Sequence, residues 1–199
     1  MTDHFIDLAK KRRTIYALGK DLSVSEEEVI DIIKNSVKHA PSAFNSQTSR
    51  ILILLREEHT RFWDITRAQL KKIVPADKFQ ATSDKLDGFA HAAGSVLFFE
   101  DQEVVKGLQQ QFATYSENFP IWSEHSTGIA QYAVWLALAE KDIGANLQHY
   151  NPLIDEEIRA AWNIPASWKL RAHMNFGSIL SPAGEKTYIE DEKRFIIAR

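Results

Sequence analysis

The sequence predicts a mixed α+β fold, and three observations predict it. Short apolar runs of strand length, 51–55 and 95–99, are bounded by polar or glycine-containing segments. Longer stretches carry apolar residues at helical spacing, such as Val29, Ile32, Ile33 and Val37. The two kinds of segment alternate with no internal repeat, low-complexity stretch or linker, so the class is α/β or mixed α+β. A length of 199 residues and a hydrophobic content of 44% suit one domain, 1–199, with a substantial core.

The elements follow in order. Residues 3–13 read as a first helix, with Phe5, Ile6, Leu8 and Ala9 on its apolar side. A loop covers 16–21. Ser23, with Glu26 three residues on, reads as the capping box of a second helix that Pro41 ends. The run 50–55 reads as a strand buried on both faces. Helices are predicted over 62–73 and 81–93, with Gly94 stopping the second, and then a buried strand over 95–99. Residues 104–112 read as helical. Residues 129–139 are apolar nearly all round and predict a helix in the core or at an interface, with Gly144 as its C-cap. A short strand or loop over 145–150, a helix over 155–162 and a strand over 169–179 complete the pattern. The tail from Ser181 ends in the apolar pair Ile196 and Ile197.

Composition narrows the function. A net charge of -3 argues against a dedicated nucleic-acid binder. The absence of cysteine removes thiol nucleophiles, disulfides and thiolate metal sites, and fits a reducing compartment. Residues 1–13 are charged and amphipathic, without the apolar stretch of a secretory leader, and the longest apolar runs are too short to span a bilayer. The expectation is a cytoplasmic protein that engages neither membrane nor nucleic acid. There is no GxGxxG, no P-loop, no GxSxG and no histidine pair at zinc-helix spacing. The carboxylate run at Glu26, Glu27 and Glu28 complements a helix dipole.

Three polar segments carry the chemistry that remains. Residues 10–14 are Lys-Lys-Arg-Arg-Thr. Four cations at a helix end can face water or hold a phosphate, which the arginine fork grips well. Residues 41–47 are Pro-Ser-Ala-Phe-Asn-Ser-Gln. They form either an ordinary polar turn or a set of amides and hydroxyls able to read a heterocycle. Residues 144–152, Gly-Ala-Asn-Leu-Gln-His-Tyr-Asn-Pro, follow the most apolar helix and lie near the core, where a flat aromatic ligand would fit. His149 alone reads as a structural residue.

In this order the three segments resemble the nitroreductase family of flavoproteins. The resemblance is nearest to a compact subgroup similar to the fatty-acid-repression-mutant proteins of yeasts and covers nearly the whole chain. It implies a central mixed sheet flanked by helices, and a homodimer with two FMN sites at the subunit interface. It implies that Arg12 and Thr14 approach the phosphate and ribityl chain, and Arg13 the flavin or phosphate. Asn45, with Ser42 and Gln47, would meet the flavin and ribityl groups, and Lys186 would complete the phosphate site. Leu147, Gln148 and His149 occupy the segment whose backbone faces the flavin N5. Tyr16 stands where many members have lysine, and Thr48-Ser49 where many have Pro-Trp.

No catalytic side chain is then required, because FMN carries the chemistry. The implied activity is ping-pong transfer from NADH or NADPH to a nitroaromatic, quinone or related small acceptor. The alternative is a module that binds flavin or an effector for regulation without turnover.

Overall fold

The computed structural model describes residues 3–199; Met1 and Thr2, the start of the charged amphipathic segment, lie outside the described residues. Helix α1 (His4–Lys11) opens on Asp3, whose carboxylate accepts from the Ile6 N–H. It stops two residues earlier than the sequence predicts. Arg12 is its extended C-cap, so Arg12 and Arg13 leave the helix. No residue of α1 is buried, and Phe5 and Ile6 of its apolar side stand in the open.

Helix α2 (Glu26–His39) is capped by Ser25, whose hydroxyl accepts from the Glu28 N–H. The predicted cap, Ser23, lies too early and instead donates to the Lys141 carbonyl. The sheet contains β1 (Leu18–Gly19), β2 (Ser49–Leu55), β3 (Gly94–Asp101), β4 (Gly144–Gln148) and β5 (Trp168–Ile179), ordered β1-β5-β3-β2 with β4 also on β5. Every ladder is antiparallel. A single parallel bridge, Thr14 to Ala145, makes the arrangement mixed.

Helices cover both faces of the sheet. Leu97 and Phe99 of β3 point into one core with Phe62, Trp63, Leu86 and Ile158, from α3 (Arg56–Ile73), α4 (Phe79–Ala90) and α7 (Asp155–Trp162). Val96 and Phe98 point into the other with Val29 and Ile33 of α2 and Val134 and Leu138 of α6 (Asn118–Glu140). The period-two alternation of a strand explains why a strand covered on both sides reads as one continuous apolar run. All eight residues of β3 are buried.

The run at β2 looked the same in sequence, but only Leu54 is fully buried there. The reason is position: β2 pairs with β3 alone and forms an edge. Helix α5 (Gln102–Gln111) links β3 to the turn before α6. Helix α6 runs 23 residues, well beyond its apolar stretch, and its C-cap is Lys141 rather than Gly144. Asp142, at φ 57°, makes the left-handed turn. Gly144 instead enters β4, where a Cβ would lie 2.8 Å from Ile179 Cγ1 and 2.9 Å from Leu18 Cδ2. Gly94 likewise opens β3 instead of closing a helix. Among the described residues, no helix is long and apolar enough to cross a membrane.

Phe98 tests this two-sided core. Phe98→Ala should lower stability by about 3–5 kcal/mol. In a chain of this size that is a fall of at least ~6 °C in Tm, read by circular dichroism.

Candidate functional site

Two of the three polar segments meet. Beyond Lys11 the chain runs extended beside β4. The Ile15 N–H donates to the Ala145 carbonyl at 2.9 Å, next to the Thr14–Ala145 bridge. Asn146 Nδ2 donates to the Ile15 carbonyl at 2.8 Å. Asn146 is wholly buried, so each of its polar atoms needs a partner. Its Oδ1 accepts from Gln148 Nε2 and from Asn175 Nδ2, both at 3.0 Å. The line continues inward: Ser95 Oγ donates to Asn175 Oδ1 at 2.9 Å, and His59 Nδ1 lies 2.9 Å from Ser95 Oγ. Asn175 and Ser95 are residues that sequence reasoning missed, and Asn146 entered it only as part of the segment 144–152. The one signal was a polar residue inside an otherwise apolar strand.

The cations divide. Arg13 donates from Nη2 to the Gly184 carbonyl at 2.6 Å and lines a cleft of about 310 Å³ with Thr14, Tyr16, Ala17 and residues 181–185. Lys186 follows directly in the chain, with Nζ 5.0 Å from the Tyr188 ring. Arg12 stacks on α6, its guanidinium carbon 4.5 Å from the Trp135 ring centre and 6.0 Å from that of Tyr132. Its Nε is buried without a partner. Leu147 and Gln148 are half-buried and His149 is exposed. Beyond Ala145, β4 is paired among the described residues only with β5, which leaves backbone N–H groups open on its other edge.

The third segment lies elsewhere. After Pro41 the chain makes a tight loop in which Phe44, Asn45 and Gln47 have φ values of 58°, 49° and 48°. Left-handed backbone at a non-glycine residue is strained by about 1–3 kcal/mol and persists only where the surroundings enforce it. Ser42 closes the loop by accepting from the Gln47 N–H at 3.0 Å, and Arg50 Nη1 donates to the Gln47 carbonyl at 2.5 Å. Asn45 and Gln47 are exposed, and the Asn45 side-chain amide has no partner among the described residues. Ser42, Gln47, Arg50 and Ser126 share a cleft of about 140 Å³. Nearby, Ser49 donates at 2.5 Å to the buried Glu100 carboxylate, which also accepts from Ser123. Of the Thr48-Ser49 pair that departs from the Pro-Trp pattern, it is therefore Ser49 whose side chain ties the end of the loop to the sheet.

None of the five clefts described is lined from both regions. Trp122, beside Ser42, and Trp135, under Arg12, are 13 residues apart on α6 and hence about 20 Å apart along its axis. The largest of these five, about 370 Å³, is lined by Lys20, Arg56 and His59 among others and holds none of the predicted residues.

Two histidines are held neutral. Burial pushes His59 down to about 4, partly offset by the Phe89 and Ala90 carbonyls. Burial, with His149 nearby, pushes His173 down to about 3. The His173 ring stacks on Tyr150 at 5.5 Å, beside Phe62 and Trp63, and neither of its nitrogens has a partner.

An antiparallel sheet between two helical layers, with polar segments gathered around one long apolar helix, defines a nitroreductase-type architecture. A family model described as "Nitroreductase family" matches residues 9–178. The chain belongs to the nitroreductase family. It is 36% identical over 183 residues to the putative nitroreductase HBN1 of Saccharomyces cerevisiae, covering 91% of each chain. It is 31% identical over 192 residues to nitroreductase FRM2 of the same yeast, covering 96% of this chain and 95% of that one. Among solved structures, nitroreductase CinD from Lactococcus lactis in complex with chloramphenicol superposes with a TM-score of 0.91 at 53% identity, over 98% of this chain and 100% of that one. The same enzyme in complex with 4-nitrophenol gives 0.90 at 54%, over the same shares. A putative nitroreductase from Desulfovibrio desulfuricans in complex with FMN shares the fold, with a TM-score of 0.73 at 18% identity, over 100% of this chain and 99% of that one.

The neutral histidines set an acid limit. Their folded values lie below the unfolded value of about 6.5, so the unfolded chain binds more protons as pH falls. The stabilisation is complete above that value and is lost as pH falls toward 4 at His59 and 3 at His173. Between pH 7 and 4.5, denaturant unfolding should show a loss of about 2–3 kcal/mol per histidine. Relative to its own value at pH 7, His173→Phe should be less acid-sensitive than the parent.

Proposed function

We propose that this chain is an FMN-dependent oxidoreductase of the nitroreductase type. In this reading it works as a cytoplasmic homodimer and passes electrons in ping-pong order from NADH or NADPH to a nitroaromatic, quinone or related small acceptor. The observation that carries the reading is the docking of the Arg12-Arg13-Thr14 segment onto β4 through Ile15, Ala145 and Asn146. It sets a cation and a hydroxyl, Arg13 and Thr14, at one cleft and brings the segment that carries them alongside β4.

The residues fit the cofactor. A phosphate needs cations when it is buried, and Arg13, Lys186 and the unpartnered Nε of Arg12 answer that need. Thr14 adds a hydroxyl for the ribityl chain. The open N–H groups of the segment containing Leu147, Gln148 and His149 offer donors to a flavin edge. Asn45, Gln47 and Ser42 add amides and a hydroxyl that read a heterocycle with donors and acceptors. When bound, FMN supplies the redox chemistry, and the protein's part is to hold it, orient it and bias its charge.

The distance between the two halves along α6 supports a site completed across two copies, with the Asn45 loop of one facing the Thr14 segment of the other. The apolar residues left open on one chain support the same association: Phe5 and Ile6 of α1, Ile129 and Tyr132 of α6, and the tail residues Phe195 and Ile196, the last 99% exposed. The nitroaromatic ligands in the CinD complexes support the choice of acceptor.

The protein should purify yellow, with FMN released on heating and identified by chromatography, and NADH or NADPH should bleach it. Flavin that binds and is not bleached would favour the regulatory reading; recovery of FAD, or no uptake of FMN, would overturn the FMN oxidoreductase. Titration by quenching of flavin fluorescence tests the anchors. Loss of a charge-assisted contact in Arg13→Ala or Arg12→Ala should weaken FMN binding by about one to two orders of magnitude. Riboflavin, lacking the phosphate, should bind both variants like the parent. Asn45→Ala should weaken FMN by up to ~10-fold. Light scattering at micromolar concentration should give a dimer mass, and a flavin-loaded monomer would refute the shared site.

A further inference from the structure

Phe44 has the least comfortable backbone in the Asn45 loop. It is a bulky aromatic at φ 58° and ψ 21°, in a conformation that glycine or asparagine adopts more readily. Its side chain is 51% exposed, so ordinary core burial does not account for its being held there. What surrounds it is a set of rings. Phe44 lies 4.9 Å from Phe112, 5.3 Å from Phe119, 5.9 Å from Trp122 and 6.0 Å from Tyr115, measured between ring centres. The pair with Trp122 is stacked at 19°, and that with Phe119 is edge-on at 68°. These are favourable aromatic geometries. They come from the end of α5, the following turn and the start of α6, so the clamp is tied to the rigid part of the fold.

We propose that Phe44 is a positioning residue. Its ring, gripped by this cluster, holds the loop 42–47 in the left-handed path that presents the Asn45 and Gln47 amides to the cofactor. The inference rests on the reading of Asn45 as an FMN contact. It assigns to Phe44 no contact with FMN. Without the ring the loop relaxes toward ordinary backbone, and the unpartnered Asn45 amide loses its aim. Local strain enforced by surrounding structure in this way is a recurrent property of binding loops.

The test is FMN titration of protein stripped of flavin, by fluorescence quenching, with thermal unfolding alongside. Phe44→Ala should bind FMN up to ~10-fold more weakly, matching Asn45→Ala. Phe44→Tyr, which keeps the ring, should restore binding to within ~2-fold of the parent. Phe44→Gly should remain as weak as Phe44→Ala although glycine tolerates the backbone angle, because the grip and not the backbone is lacking. The double variant Phe44→Ala/Asn45→Ala should be no weaker than Asn45→Ala alone, the non-additivity of two residues acting through one contact. If Phe44→Ala does not fold, Phe44→Leu takes its place in the same cycle. Parental binding by Phe44→Ala beside a weakened Asn45→Ala overturns the positioning role and leaves the FMN reading intact. Additive losses overturn it in favour of direct ligand contact. Parental binding by Asn45→Ala removes the FMN reading of the loop and this proposal with it.

Discussion

Strand β5 is filled along both edges, and the rest of the molecule depends on that. Its residues 168–176 pair with β3, while β4 takes residues 173–177 as partners of 144–148, among them Met174 with Leu147 and His173 with Gln148. Pairing there buries β4 and, with it, Asn146. A buried amide without partners costs more than any surface contact returns, so Asn146 has to bond on every side. One of those bonds takes the Ile15 carbonyl. The docking of the basic segment beside β4 is thus enforced by the accounting of buried polar groups, and it forms part of the sheet.

Burial against the sheet also accounts for the neutral histidines. His173 lies on β5 and His59 on α3, next to the sheet on its more aromatic side. Both rings are buried, and among the described residues no carboxylate is bonded to either. The aromatic rings around His173 offer it packing without hydrogen bonds. In the proposed reading the chemistry lies outside the interior, at the loop 42–47 and at the cleft lined by Arg13 and Thr14.

The pattern of apolar residues was enough to find most elements. The helix over 155–162 agrees with α7, and strand β5 begins one residue before its predicted start. The errors share one cause. Ser23, Gly94 and Gly144 were read as local punctuation, whereas tertiary contacts decided their roles: Ser23 reaches Lys141 across the fold, and both glycines allow close approach of neighbouring strands and side chains. The burial of β2 was over-read because an apolar run does not reveal whether the strand has one neighbour or two.

By itself the sequence determined a class that mixes helices and strands, apolar runs read as strands buried on both faces, and the three polar segments at 10–14, 41–47 and 144–152. These follow from local preference and periodicity, which act over a few residues. Only the tertiary structure decided that the first and third segments lie together while the second stands some 20 Å away along α6. It also decided that Arg13, not Arg12, lines the cleft, because α1 stops at Lys11 and the next side chain falls against Trp135. The Asn146–Asn175–Ser95 line joins residues from three strands, and the clamp on Phe44 joins rings up to 78 residues away. Such contacts depend on how the strands and helices are assembled, and no local pattern encodes them.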